Sequence, residues 1–189
     1  LYGGNRLRAV LPDGTAVDLA QETAYPWQGL VKFTVNQPAG KEFGLMLRIP
    51  GWSHHPSLKI NGKSAGMALK PQSYAEVRRP WHPGDTVELD LGMEPRFVEA
   101  NPKVEEVWNQ VAVMRGPVVY CLESPDLPPG IKPLEVALPV NARLTARHDP
   151  SLLGGVTVIE TQGRLIRSGD WSGKLYRAIA PAKRETINV

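Results

Sequence analysis

Val31-Lys32-Phe33-Thr34-Val35-Asn36, followed after a polar break by Phe43-Gly44-Leu45-Met46-Leu47-Arg48-Ile49, decides the fold class. Apolar side chains recur at every second position, and a strand sends successive side chains to opposite faces, so each run predicts a half-buried β-strand. The pattern repeats on both sides. Leu7-Arg8-Ala9-Val10-Leu11 and Thr15-Ala16-Val17-Asp18-Leu19 flank Pro12-Asp13-Gly14, residues suited to a tight hairpin. Leu58 and Ile60 run into Asn61-Gly62, the strongest two-residue hairpin signal in the chain, and Val87, Leu89 and Leu91 alternate after Pro83-Gly84-Asp85.

The 189 residues include 18 Gly and 18 Pro, which interrupt helices and central strands and suit many short strands joined by turns. Met93 to Pro102 reads as a connector. One helical pattern follows, with Asn101 as N-cap, Pro102 first, Glu105 and Glu106 early, and Val104, Val107, Trp108 and Val111 on an apolar stripe of one or two turns. Strands are expected again at Val111–Met114 and Val118–Leu122, split by Arg115-Gly116-Pro117, and more weakly at Leu134–Leu138, Leu144–Arg147, Val156–Thr161 and Leu175–Ile179. The expected fold class is therefore all-β: two small antiparallel β-sandwich domains in tandem, jelly-roll-like, at residues 1–95 and 96–189, the second read as truncated at its C-terminus.

Net charge is +3, from 22 basic and 19 acidic residues dispersed along the chain, so no basic cluster marks a nucleic-acid surface. No run approaches the ~20 apolar residues of a membrane-spanning helix. The chain opens at Leu1 within a strand-like segment and stops at Thr186-Ile187-Asn188-Val189 with alternation still running, so both ends read as cut from something longer. The lack of a leader therefore says little about compartment, the bacterial cytoplasm being slightly favoured. One cysteine, Cys121, excludes an internal disulfide and a multi-thiolate zinc site.

Several motifs in order carry a family resemblance: Leu1-Tyr2-Gly3, Gln21-Glu22-Thr23, Tyr25-Pro26-Trp27-Gln28-Gly29, Leu47-Arg48-Ile49-Pro50-Gly51-Trp52, Ile60-Asn61-Gly62, Trp81 before Pro83-Gly84-Asp85, and Met114-Arg115-Gly116-Pro117-Val118-Val119-Tyr120-Cys121-Leu122-Glu123. With these, residues 1–123 resemble the C-terminal part of glycoside hydrolase family 127, the β-L-arabinofuranosidase-like family once catalogued as a domain of unknown function. The resemblance implies an (α/α)6 catalytic barrel followed by two β-sandwiches. It places a cysteine nucleophile, cysteine and glutamate zinc ligands and a glutamate acid/base in the barrel, at positions with no counterpart here. The expectation is thus a non-catalytic accessory region, inactive alone, with no cofactor of its own and zinc in the absent barrel. Its expected partners are that barrel, a second copy through the last domain, and carbohydrate, with no nucleic acid and no membrane. The alternative is an independent carbohydrate-binding or protein-interaction module.

The residues themselves support no catalytic or metal assignment. Glycoside hydrolysis usually needs two carboxylates held across the scissile bond, and Glu22, Glu76, Glu88, Glu99, Glu105, Glu106, Glu123 and Glu135 show no pairing in their spacing. Cys121, with apolar neighbours, is expected as a buried structural thiol in a strand. His54-His55 is expected in an exposed loop, and Arg115-Gly116-Pro117 as a bend between strands, since it lacks the following Lys-Ser/Thr of a phosphate loop. Most of the five tryptophans are expected to pack. An exposed indole offers a sugar an apolar face and an N–H, and loop position selects Trp52 and Trp171 as candidate carbohydrate contacts.

Overall fold

The computed structural model describes all residues except 1, 38–39, 167–171, 177 and 179–184. The described chain is all-β, with sixteen strands and three short 3-10 turns. It divides into two compact units, Leu1–Glu94 with Gly116–Val118, and Pro95–Arg115 with Val119–Val189.

The first unit is a two-layer sandwich. Strands β1 (Asn5–Val10), β2 (Ala16–Thr23), β3 (Leu30–Gln37), β5 (Ser57–Ile60), β6 (Lys63–Ser64) and β8 (Thr86–Asp90) form a six-stranded sheet in the order β1-β2-β3-β8-β5-β6. Strands β4 (Lys41–Ile49) and β7 (Ser73–Trp81) pair as the second sheet. The chain crosses between layers four times, because β4 and β7 interrupt the succession of large-sheet strands. The alternation in the sequence explains the core. Val31, Phe33 and Val35 of β3 and Val87 and Leu89 of β8 meet Phe43, Leu47 and Ile49 of β4 and Ala75, Val77 and Trp81 of β7 in one buried cluster. Burial of this apolar surface, worth about 25 cal/mol per Å², is the main term holding the layers together.

The outer face of the large sheet is built for water. Register sets Glu22 opposite Lys32, Lys32 opposite Glu88, and Glu88 opposite Lys59, so charge alternates in sign across four adjacent strands. Opposite charges at directly facing positions favour this register, and like charges there would oppose it. β1 lies at the sheet edge and is exposed along its whole length. It is held to β2 by an antiparallel ladder from Asn5–Gln21 to Val10–Ala16, and Asp18, which sits where the β2–β3 register shifts, adds side-chain ties. Asp18 accepts Nε and NH2 of Arg6 at 2.7 Å each, Nε of Arg8 at 3.1 Å and Nδ2 of Asn36 at 3.1 Å.

Asn61 and Gly62 have φ of 49° and 75° and close the β5–β6 hairpin, with Ile60 paired to Lys63. Positive φ at both positions is what a type I′ turn requires. The β8 exit is fixed by Ser53, fully buried, whose hydroxyl donates to the Leu91 carbonyl at 2.6 Å.

The second unit holds three small antiparallel sheets. β9 (Pro95–Glu99), β10 (Val111–Arg115) and β11 (Val118–Tyr120) form the first, in the order β11-β10-β9. β12 (Val136–Ala137), β15 (Gln162–Leu165) and β16 (Glu185–Asn188) form the second, and β13 (Thr145–Asp149) with β14 (Val156–Glu160) the third. Here the described residues bury few large apolar side chains, Leu127 and Leu165 among them.

Three expectations are corrected. The connector at Met93–Pro102 contains β9, which pairs with β10 through Phe97 opposite Val113. The expected helix is a single 3-10 turn at Glu105–Val107 that buries nothing; Asn101 instead makes a local turn, its side chain accepting the Lys103 N–H at 3.0 Å. The expected strand at Leu134–Leu138 is a 3-10 turn at Pro133–Glu135 followed by the two residues of β12. The strand expected at Leu175–Ile179 falls partly outside the described residues, and residues 172–176 form no strand.

Candidate functional site

Tyr2 and the Tyr25–Gly29 loop lie at the end of the first sandwich where β3 begins and β8 ends, whereas Asn61-Gly62 and Pro83-Gly84-Asp85 lie at the opposite end, joined by the Asn61–Asp85 hydrogen bond. The β2–β3 loop carries Tyr25-Pro26-Trp27-Gln28-Gly29, with the Tyr25–Pro26 peptide cis. It is closed by hydrogen bonds from the Trp27 and Gln28 amides to the Ala24 carbonyl at 2.9 and 3.1 Å. The Leu91 amide donates to the Gly29 carbonyl at 3.1 Å, which ties this loop to the end of β8. Beside it, Tyr2 makes edge contacts with Tyr25 and Phe33, both at 6.3 Å between ring centroids. The Tyr2 hydroxyl donates to the Arg48 carbonyl at 2.6 Å. Desolvation pushes its pKa up to about 12, so it stays a neutral donor.

The tryptophans separate by use. Trp81 is fully buried, and its indole N–H donates to the Phe43 carbonyl at 2.9 Å. Trp52, a candidate sugar contact, is half-buried and packs against the sandwich core, so its loop position does not free its face. Trp171, the other candidate, lies outside the described residues. Trp27 is 40 % exposed, and sequence reasoning did not select it. The available signal was its place in a Pro- and Gly-bounded loop, where the backbone turns before an indole can reach the core. Trp108 is 60 % exposed and not on a buried stripe; its N–H is taken by the Pro102 carbonyl at 2.6 Å.

Cys121, expected buried, is exposed. β11 ends one residue before it and forms the edge of its sheet, so the neighbouring apolar residues do not enclose the thiol. His54 and His55 are exposed, and Gly116, at φ 56°, turns the chain between β10 and β11 as expected.

The carboxylates are spent on structure. Glu76 pairs with Arg78 at 2.8 Å, Glu160 with Arg147 at 2.8 Å, and Asp126 and Glu135 cap short 3-10 turns by accepting the Glu123 and Lys132 amides at 2.9 and 3.0 Å. The Asp149 carboxyl is drawn down to about 2, chiefly by hydrogen bonds from Ser151 and then from Arg147. Asp18 is held well below the ordinary aspartate range, first by its hydrogen bonds from Arg6. A carboxyl with a depressed native pKa gives stability that is fully present above its unfolded pKa and lost as pH falls through the native one. Acid should therefore weaken the hold on β1 as Asp18 protonates, well below pH 4. Amide spectra of β1 recorded from pH 6 to 2 should show this step, and Asp18→Asn should loosen β1 already at pH 6 and remove its acid dependence. An unchanged acid profile in the variant would contradict it.

Among the described residues no group of three His, Cys, Asp or Glu could hold a metal ion. These residues do not fit the zinc that the family resemblance places in the barrel.

The folds define a tandem pair of all-β domains, the first a two-layer sandwich. Residues 1–93 match the middle domain of the β-L-arabinofuranosidases of glycoside hydrolase family 127, and residues 95–172 match the C-terminal domain of that family. The chain belongs to glycoside hydrolase family 127. It is 38 % identical over 155 residues to the non-reducing end β-L-arabinofuranosidase of Bifidobacterium longum, covering 77 % of this chain and 23 % of that protein. A solved family 127 β-L-arabinofuranosidase from Geobacillus stearothermophilus T6 superposes with a TM-score of 0.86 at 38 % identity, over 100 % of this chain and 29 % of that one. A solved glycoside hydrolase gives a TM-score of 0.88 at 39 % identity, over 100 % of this chain and 31 % of that one. The chain thus spans between about a quarter and a third of the length of these relatives.

Proposed function

We propose that this chain is the non-catalytic accessory region of a larger family 127 glycoside hydrolase. The parent removes terminal L-arabinofuranosyl residues, or those of a related sugar, with retention. The observation that carries this reading is the match of the chain, over its whole length, to a minor part of a longer solved arabinofuranosidase. The engagement of Glu76, Glu135 and Glu160 in pairs and caps supports it. The accessory role is to brace the catalytic barrel, whose zinc belongs to that barrel. The second domain contributes to dimerisation, and the almost fully exposed Leu134, Val140 and Leu153 support that part.

The isolated 189-residue chain should show no turnover of an aryl β-L-arabinofuranoside under conditions in which a full-length relative is active. Measurable turnover would overturn the accessory reading. A second reading, an independent carbohydrate-binding module, draws on the exposed indole of Trp27. Titration with neutral arabino-oligosaccharides separates the two by tryptophan fluorescence. We expect no saturable change, whereas saturation abolished by Trp27→Ala would favour the binding module.

A further inference from the structure

The second unit contains a polar groove of about 900 Å³, in the size range of ligand sites. Its floor follows from register. Gln162 faces Asn188 and Arg164 faces Thr186 across β15 and β16, so these four side chains share one side of the sheet, while Gly163 and Leu165 are buried on the other. Arg143 and Asn141 line the same groove from the segment before β13.

The charges in this groove are unequal in what they have to do. Its acids are engaged: Glu160 accepts from Arg147 at 2.8 Å, and Asp126 accepts the Glu123 amide at 2.9 Å. Arg143 and Arg164, by contrast, have neither a hydrogen bond nor an ion pair among the described residues. Two guanidiniums that line one concavity without a partner leave its positive charge uncompensated and suit an anion.

We propose that this groove binds an acidic saccharide, with Arg143 and Arg164 holding a uronate carboxylate and the surrounding amides and hydroxyls holding sugar hydroxyls. A carboxylate matches the planar fork of a guanidinium. Carboxamides donate and accept at once, as Asn141, Gln162 and Asn188 can do here, and so do sugar hydroxyls. The groove is far larger than a single inorganic anion, which favours a saccharide over phosphate. Among the described residues its lining has no aromatic, so their binding rests on hydrogen bonds and charge and weakens with salt. This site is independent of the accessory reading, which concerns a neutral sugar and another part of the parent.

Calorimetric titration of the 189-residue chain with trigalacturonate at low ionic strength tests it, beside neutral arabinotriose and inorganic phosphate. Trigalacturonate should bind saturably and arabinotriose should not. Arg143→Ala and Arg164→Ala should each weaken binding about tenfold, the low end for a charge-assisted hydrogen bond, in variants whose circular dichroism is unchanged. Arg78→Ala, which removes the same charge from an ion pair in the first unit, should leave binding unaltered. No saturable binding of trigalacturonate, or an equal loss with Arg78→Ala, would overturn the site. Phosphate competing with equal affinity would overturn its assignment to a saccharide.

Discussion

Trp81→Ala should destabilise the first unit by about 3–5 kcal/mol, the usual range for truncating a buried tryptophan. The indole is fully buried, lies 5.6 Å from the Phe43 ring and donates to the Phe43 carbonyl, so one side chain fastens β7 to its partner β4. Arg79 places its guanidinium 5.5 Å from the same ring and has Asp85 at 3.9 Å. Truncation removes the packing, leaves a cavity and strips the carbonyl of its donor. Against a domain stability of about 5–15 kcal/mol, this is a large fraction. By calorimetry, the transition of the first unit should fall by more than about 10 °C. Trp81→Phe should fall between wild type and Trp81→Ala, since it keeps a ring and loses the hydrogen bond. A shift under about 3 °C for Trp81→Ala would show that the core does not depend on this residue.

Gly92→Val is the second large effect. Gly92 has φ of 57°, where a β-branched residue is strained by roughly 1–2 kcal/mol. A Cβ there would lie 2.7 Å from the His55 carbonyl oxygen and 3.1 Å from its carbon, both backbone atoms that cannot swing aside. The two costs add. Relief requires moving the loop after Trp52, where Ser53 is hydrogen-bonded to Leu91. We expect a loss of at least about 2 kcal/mol in urea unfolding. Gly62→Val supplies the control, because its φ of 75° carries similar strain while nothing lies within 4 Å of the added carbon. Equal losses for the two variants would show that the contact with His55 is immaterial.

Period-two alternation made β3, β4 and β8 legible because each has one face in the core and one away from it. β7 escaped for a physical reason. Its inward row, Ala75, Val77, Arg79 and Trp81, is broken by an arginine that stays half-exposed at the sheet's end, and Pro80 stands in a strand. Such a proline is tolerated because β7 is an edge strand in a two-stranded sheet, where a missing N–H need not break the ladder. β9 was hidden in a connector, since its five residues, PRFVE, are too short and too charged to display a period. The site was less legible than the fold. Loop position selected Trp52, but tertiary packing decides which indole keeps an open face, and it left Trp27 exposed. Cys121 misled for the same reason: apolar neighbours imply burial only where a second layer covers them.

The edge strand β1 also sets a timescale. Exposed along its length and paired on one side only, to β2, it can open without disturbing the buried layers beneath it. Its amides should therefore exchange with solvent by local opening, many times faster than those of β3 and β8, whose exchange waits on unfolding of the whole sandwich.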